Sequence, residues 1–227
     1  MMIRFFWTSA NKGTVSRMKR KGFVAGIIIL VLIACISGSH FLSLYLRQRQ
    51  YTNRVFSLPD NFEELPRKSM ATGYLFDPDD KRLMSGFSDH IAVAVVEKIS
   101  GTSYERVSVA VDGTISGTPY MNYEIKIIRD IKGQLTKDSS ISLLEYGGVS
   151  IDGQYVEYIT PFLGKGKCYV VYLSSVNNGN LYLNQAYALT DAVLEKDGNG
   201  KIIGLSDESA IQEYVDAYDN QNPLYAR

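Results

Sequence analysis

Beyond the N-terminal apolar stretch the chain holds one histidine, His90, and one cysteine, Cys168. One imidazole and one thiolate cannot build the four-ligand nitrogen and sulfur cage of a zinc site, so that chemistry is excluded. A Cys–His nucleophilic pair exists on paper, but Cys168 stands in an apolar run beside Tyr169 and Val170, where a thiol is expected to be buried and inert. Asp152 and Glu157 form the type of carboxylate pair a glycosidase uses, yet twenty-four acids produce such pairs by chance. Asp77, Asp79 and Asp80 suggest a calcium loop until its positions are counted: Arg82 stands where the turn glycine belongs and Ser88 where the bidentate Glu belongs. The loop from Asp197 fails in the same way, with Lys201 and Ile202 in place of an oxygen ligand and the glycine. There is no Gly-x-Ser-x-Gly elbow, phosphate loop or dinucleotide fingerprint. The residues therefore predict a noncatalytic protein with no catalytic set, no metal and no cofactor; a hydrolase with a carboxylate site is the alternative.

Sixteen tyrosines against one tryptophan give a richer signal. Tyr120, Tyr123, Tyr146, Tyr155, Tyr158, Tyr169, Tyr172, Tyr182 and Tyr187 all fall in or beside strand-like runs. A tyrosine offers apolar area with a polar tip, which suits a recognition surface, although it is also a good strand former and can serve as barrel wall. Residues 149–166 are expected to meet a partner, and Tyr146, Tyr155, Tyr158 and Phe162 are the candidate contact residues.

The elements that must position them are β-strands. From His90 onward short runs alternate with turn residues. Ile91, Val93 and Val95 interleave with Ala92, Ala94 and Val96, so that strand is apolar on both faces and central. Residues 120–131 set Tyr123, Ile125 and Ile127 on one face against Glu124 and Lys126 on the other. Ile141 to Tyr146 makes a further strand, and Gly147-Gly148 marks a bend. Asn177-Asn178-Gly179-Asn180 joins Cys168–Leu173 to Leu181–Leu189, and Asp197-Gly198-Asn199-Gly200 joins Ala192–Lys196 to Lys201–Leu205. A helix over Asp207–Tyr218, capped by Ser206, presents Ile211, Tyr214, Val215 and Tyr218 on one face. Upstream, Leu58 to Leu65 reads as a short helical turn stopped by Pro66, and Phe76–Ser88 as a loop.

The fold class is thus mainly β, a small barrel with a C-terminal helix, preceded by one N-terminal transmembrane helix. Ile91–Lys98, Tyr123–Gly133 ending in Ile-Lys-Gly, Gly147-Gly148 and the run Gly166-Lys167-Cys168-Tyr169-Val170-Val171-Tyr172-Leu173 together resemble the OB-like barrel domains of many bacterial surface proteins of unassigned function. The resemblance covers roughly residues 88–205. It implies a fold and an extracytoplasmic setting and brings no catalytic residues with it.

Charge and hydropathy organise the rest. Six cations and no acid lie in residues 1–22, and every Asp and Glu lies beyond residue 59. From Val55 onward fifteen Lys and Arg face twenty-four Asp and Glu, an acidic body that repels phosphate backbones, so nucleic acid is not an expected partner. Residues 22–46 carry no formal charge and as a helix reach roughly 37 Å, enough to cross about 30 Å of hydrocarbon. The cluster Arg17, Lys19, Arg20 and Lys21 places the N-terminus in the cytoplasm. The expected organisation is a basic tail (1–21), a single-pass anchor (22–46), a linker (47–87) and an extracytoplasmic barrel domain (88–227). Its partners are the membrane and a surface protein or cell-wall glycan. An alternative follows if translation starts at Met18: Leu32-Ile33-Ala34-Cys35 then resembles a lipobox, and Cys35 becomes the lipidated residue of a surface lipoprotein.

Overall fold

The computed structural model describes residues 35, 38–70, 76–176 and 179–222. The expected basic tail, most of the 22–46 stretch with the rest of its lipobox, Asn177 and Asn178 lie outside the described residues. Among the described residues no helix is long and apolar enough to cross a membrane.

A helix occupies 38–51 (α1) and is followed by β1, Val55–Phe56, a 3-10 turn at Phe62–Glu64, and β2, Arg67–Ser69. Next come α2, Lys81–Phe87, and the two long strands β3, His90–Val109, and β4, Ile115–Lys132. Then follow β5, Ser140–Val149, β6, Val156–Tyr158, β7, Cys168–Ser175, and β8, Leu181–Ala188. The chain ends in the hairpin β9, Leu194–Lys196, with β10, Ile202–Leu205, and in α3, Gln212–Asp219. Five strands close on themselves in the order β3, β4, β5, β8, β7 and back to β3; every pair is antiparallel except β5 with β8. A closed five-stranded barrel of this kind is OB-like.

Two cores follow from the period-2 alternation of the strands. Inside the barrel lie Ala92, Ala94 and Val96 of β3, Met121, Tyr123, Ile125 and Ile127 of β4, Leu143 of β5, and Tyr169, Val171 and Leu173 of β7. The opposite faces of β3 and β7, with Ile91, Val93, Cys168, Val170 and Tyr172, form the second core beneath α2, the β9–β10 hairpin and α3. This is why β3 is apolar on both sides. Each fully buried aliphatic side chain here contributes roughly 1.5–3 kcal/mol relative to exposure. Ile211, Tyr214, Val215 and Tyr218 bring the C-terminal helix onto that second face.

Two local expectations are corrected. Phe76–Ser88 is not wholly loop: Asp80 accepts from the backbone N–H groups of Arg82 and Leu83 and starts α2, whose Met84 is fully buried. Asp207, not Ser206, caps the start of the C-terminal helical segment, accepting from Ser209 N–H at 2.8 Å, while Ser206 donates to the Ala192 carbonyl. A 3-10 turn, Glu208–Ile211, then precedes α3.

The linker is strapped onto the barrel at two places. β1 pairs with β3 at Ser103 and Thr102, and it comes so close at Gly101 that an added Cβ would stand 2.0 Å from the Phe56 carbonyl oxygen. β2 runs parallel to β6, which itself pairs with the end of β5. Gly147, with φ of 119°, allows that approach, since a Cβ there would stand 2.6 Å from the Glu157 carbonyl oxygen. The last turn of α1 docks on the same side of the barrel. Gln48 Nε2 donates to the Val107 carbonyl at 2.8 Å, and Tyr51 stacks against Phe56 and edges onto Tyr104.

Candidate recognition site

Inward Met121 and Tyr123 force Tyr120 and Asn122 outward on β4. Tyr120 pairs in register with Tyr146 of β5, and β5 in turn brings Leu144 beside Tyr182 of β8. Three tyrosine rings from three strands thereby meet on the outer wall. Tyr120 lies edge-on to Tyr146 and to Tyr182, with ring centroids 5.4 Å apart in each case and interplanar angles of 82° and 86°. T-shaped geometry places the positive edge of one ring on the negative face of the next, which holds the layer without sealing it from solvent. The Tyr182 hydroxyl donates to the Glu105 carboxylate on β3. Asn122 bonds Ser103 Oγ at 2.9 Å and the Tyr120 carbonyl at 2.8 Å, fixing the floor between β3 and β4. Burial first, and the Glu105 charge second, push the Tyr120 hydroxyl up to about 12, so it stays a neutral donor at physiological pH.

The surface continues across β6. The Tyr146 hydroxyl is raised by burial and then by Glu157, and Tyr155 likewise by burial and then by Glu157, so one carboxylate lies within electrostatic reach of both rings. Lys68 of β2 stands 5.1 Å from the centre of the Tyr155 ring. All four tyrosines are half-buried. Rigid rings with exposed edges and polar tips are what a binding surface needs, since few rotamers must be frozen on association.

The four sequence candidates do not form one loop surface. Tyr146 belongs to the tyrosine layer and Tyr155 to its margin. Tyr158 and Phe162 line a separate cavity of about 510 Å³ between linker and barrel, where Phe162 packs on the inner core and lies 6.2 Å from Phe62. Sequence reasoning counted Tyr120 and Tyr182 among the strand tyrosines without assigning them a role, because only cross-strand register brings them to Tyr146.

Under that cavity's wall lies an unexpected group. Glu145 follows the inward parity of Leu143 and is 3% exposed. It accepts from the Tyr123 hydroxyl at 2.6 Å and the Thr160 hydroxyl at 3.3 Å, and it bonds the Leu163 backbone. Burial pushes its carboxyl up to about 7 despite these bonds.

The other candidates separate. His90 pairs with Leu173 and Cys168 with Val95, five positions apart along one ladder and so roughly 17 Å at about 3.4 Å per residue, too far for a nucleophilic pair. His90 instead bridges the Gly133 carbonyl at 3.1 Å and Ser175 Oγ at 2.9 Å. Burial pushes the Cys168 thiol up to about 12. Asp152 closes its own turn, accepting from Ser150 Oγ at 2.6 Å and Gln154 N–H at 3.1 Å. Asp77 and Asp197 likewise accept bonds from backbone within their turns, and no metal-binding cluster of three or more ligands occurs among the described residues. Cys35 is exposed and forms no disulfide among the described residues. In comparisons with known proteins, no family model matches the chain and no curated protein matches it.

Proposed function

We propose that this chain is a membrane-anchored, noncatalytic, extracytoplasmic binding module whose tyrosine layer recognises a cell-wall glycan. The observation that carries the reading is the Tyr120–Tyr146–Tyr182 layer on the outer wall of β4, β5 and β8. Sugar rings present apolar C–H faces and hydroxyl edges; half-exposed aromatic rings take the first, and Glu105, Glu157 and Lys68 at the margin take the second. The face formed by the second and third strands of an OB-like barrel is also the side on which such barrels bind oligosaccharides. The acidic body argues against the alternative ligand of that face, a nucleic acid. The membrane setting rests on the uncharged stretch 22–46 and its preceding cations. Phe41, Leu42, Tyr45 and Leu46, each more than half exposed on α1, agree with it.

The test is sedimentation of the full-length chain, in mild nonionic detergent, with purified peptidoglycan. Tyr120→Ala with Tyr146→Ala removes two stacking rings, each contributing roughly 0.5–1.5 kcal/mol, and lowers retention about fivefold or more. Unchanged retention by a double variant with the parental β-sheet circular dichroism, or no retention of the parent at all, overturns the reading.

A further inference from the structure

The tyrosine layer leaves the cavity between linker and barrel unused. Its wall is apolar, built from Leu58 and Phe62 of the linker, Ile99 and Met121 of the barrel, and Phe162 of the loop before β7. Its volume of about 510 Å³ lies within the range of about 300–1,000 Å³ typical of small-molecule sites. Two cations, Arg67 and Lys165, and one acid, Glu63, stand at the rim, which leaves one net positive charge there. Arg67 lies over the Phe62 ring and pairs with Glu63 at 2.8 Å. Lys165 is exposed and, among the described residues, takes part in no ion pair.

Lys165 also lines the neighbouring cavity of about 310 Å³, where Lys126, Lys196 and Lys201 converge. Four of the fifteen cations of an otherwise acidic body thus gather at one place, directly beside an apolar cavity. Three of them are partly neutralised: Lys126 by Asp138 at 2.6 Å, Lys196 by Asp191 at 3.1 Å and Lys201 by Glu97 at 3.9 Å. Lys165 is the one placed at both cavities.

An apolar chamber with cations at its mouth matches a ligand with the same division, an apolar tail and a single negative charge. We propose that the chamber binds a long-chain fatty acid, its chain against Phe62, Phe162 and Met121 and its carboxylate at Lys165 and Arg67. This goes beyond the glycan reading and is independent of it, because no residue of the tyrosine layer lines the chamber.

The test is photo-crosslinking of the full-length chain in membranes with a sixteen-carbon fatty acid bearing a diazirine on its chain. Crosslinked peptides are identified by mass spectrometry and normalised to those from the N-terminal apolar stretch of the same molecules. Crosslinks are expected in peptides covering 58–67 and 158–165, competed by palmitate and not by its uncharged methyl ester. Ile99→Trp, which fills the chamber from a half-buried position, is expected to reduce them at least fivefold. Lys165→Glu, an exposed change that leaves packing intact, is expected to reduce them at least threefold. Crosslinks confined to the N-terminal stretch, equal competition by the methyl ester, or unchanged labelling in Lys165→Glu would each overturn the proposal.

Discussion

Replacing Glu145 by Gln gives a prediction whose sign can be worked out in full. In the unfolded chain the carboxyl titrates near its ordinary 4.5, whereas in the fold burial raises it to about 7. Between those values the folded state holds a proton that the unfolded state has lost, so stability falls as pH rises through this window and levels off above it. The contribution is fully present below about 4.5 and lost by about pH 8. At about 1.4 kcal/mol per pH unit the whole effect is about 3 kcal/mol, most of it between pH 5 and pH 8. Glutamine keeps an oxygen to accept from Tyr123 and offers its amide to Thr160, so it fills the site without the titration. The assay is urea unfolding of the full-length chain in nonionic detergent, followed by circular dichroism at pH 5, 6, 7 and 8. Other titrating groups are shared by parent and variant and cancel in the difference. Relative to the parent, Glu145→Gln should gain roughly 2–3 kcal/mol on going from pH 5 to pH 8. Parallel stability curves for the two proteins would refute the assignment of Glu145 as a buried group held near neutrality.

Gly101→Val forces a Cβ into the Phe56 carbonyl at a φ of 128° and should detach β1, at a cost of about 2 kcal/mol or more in urea unfolding. Cys168 should resist iodoacetamide at pH 8 in the native protein and react once urea is added, since its thiol is buried and raised to about 12; labelling of Cys168 as fast in the native protein as in urea would contradict this. The buried Tyr172 hydroxyl makes no hydrogen bond of good geometry among the described residues and interacts only weakly with the Ser85 hydroxyl, so Tyr172→Phe should cost less than about 1 kcal/mol, whereas Tyr123→Phe, which deprives buried Glu145 of a donor, should cost about 2 kcal/mol at pH 8 and less at pH 5.

What was legible in the sequence divides along the range of the interactions. The double-sided apolar pattern of residues 91–96 announced a central strand, and the strand does face two cores, because burial on both faces writes itself directly into consecutive residues. The hairpin between β9 and β10 was likewise carried by four adjacent turn residues. Helix α2 escaped notice because its seven residues are too short for a 3.6-residue period to stand out, and its Asp80 cap sits among two other aspartates that read as loop. The strap of the linker onto β6 had no local sign at all. It depends on a parallel pairing between residues about ninety positions apart and on Gly147, whose role appears only when the β6 backbone lies against it. The candidate site shows the same division. Tyr146 could be chosen from its strand, but Tyr120 and Tyr182 become its neighbours only through the registers of β4 with β5 and β5 with β8. Glu145 was within reach: in a strand where Leu143 points inward, the residue two places on must share its face, and an acid at that position had to be buried or had to break the barrel. It is buried, held by Tyr123 from the wall and by Thr160 and Leu163 from the loop that also walls the chamber. Protonation would turn one of its oxygens from an acceptor into a donor and weaken the hold on that loop. Crosslinking of the fatty-acid probe to residues 158–165 should therefore change more between pH 6 and pH 8 in the parent than in Glu145→Gln, which keeps only the pH response of the probe's own carboxylate.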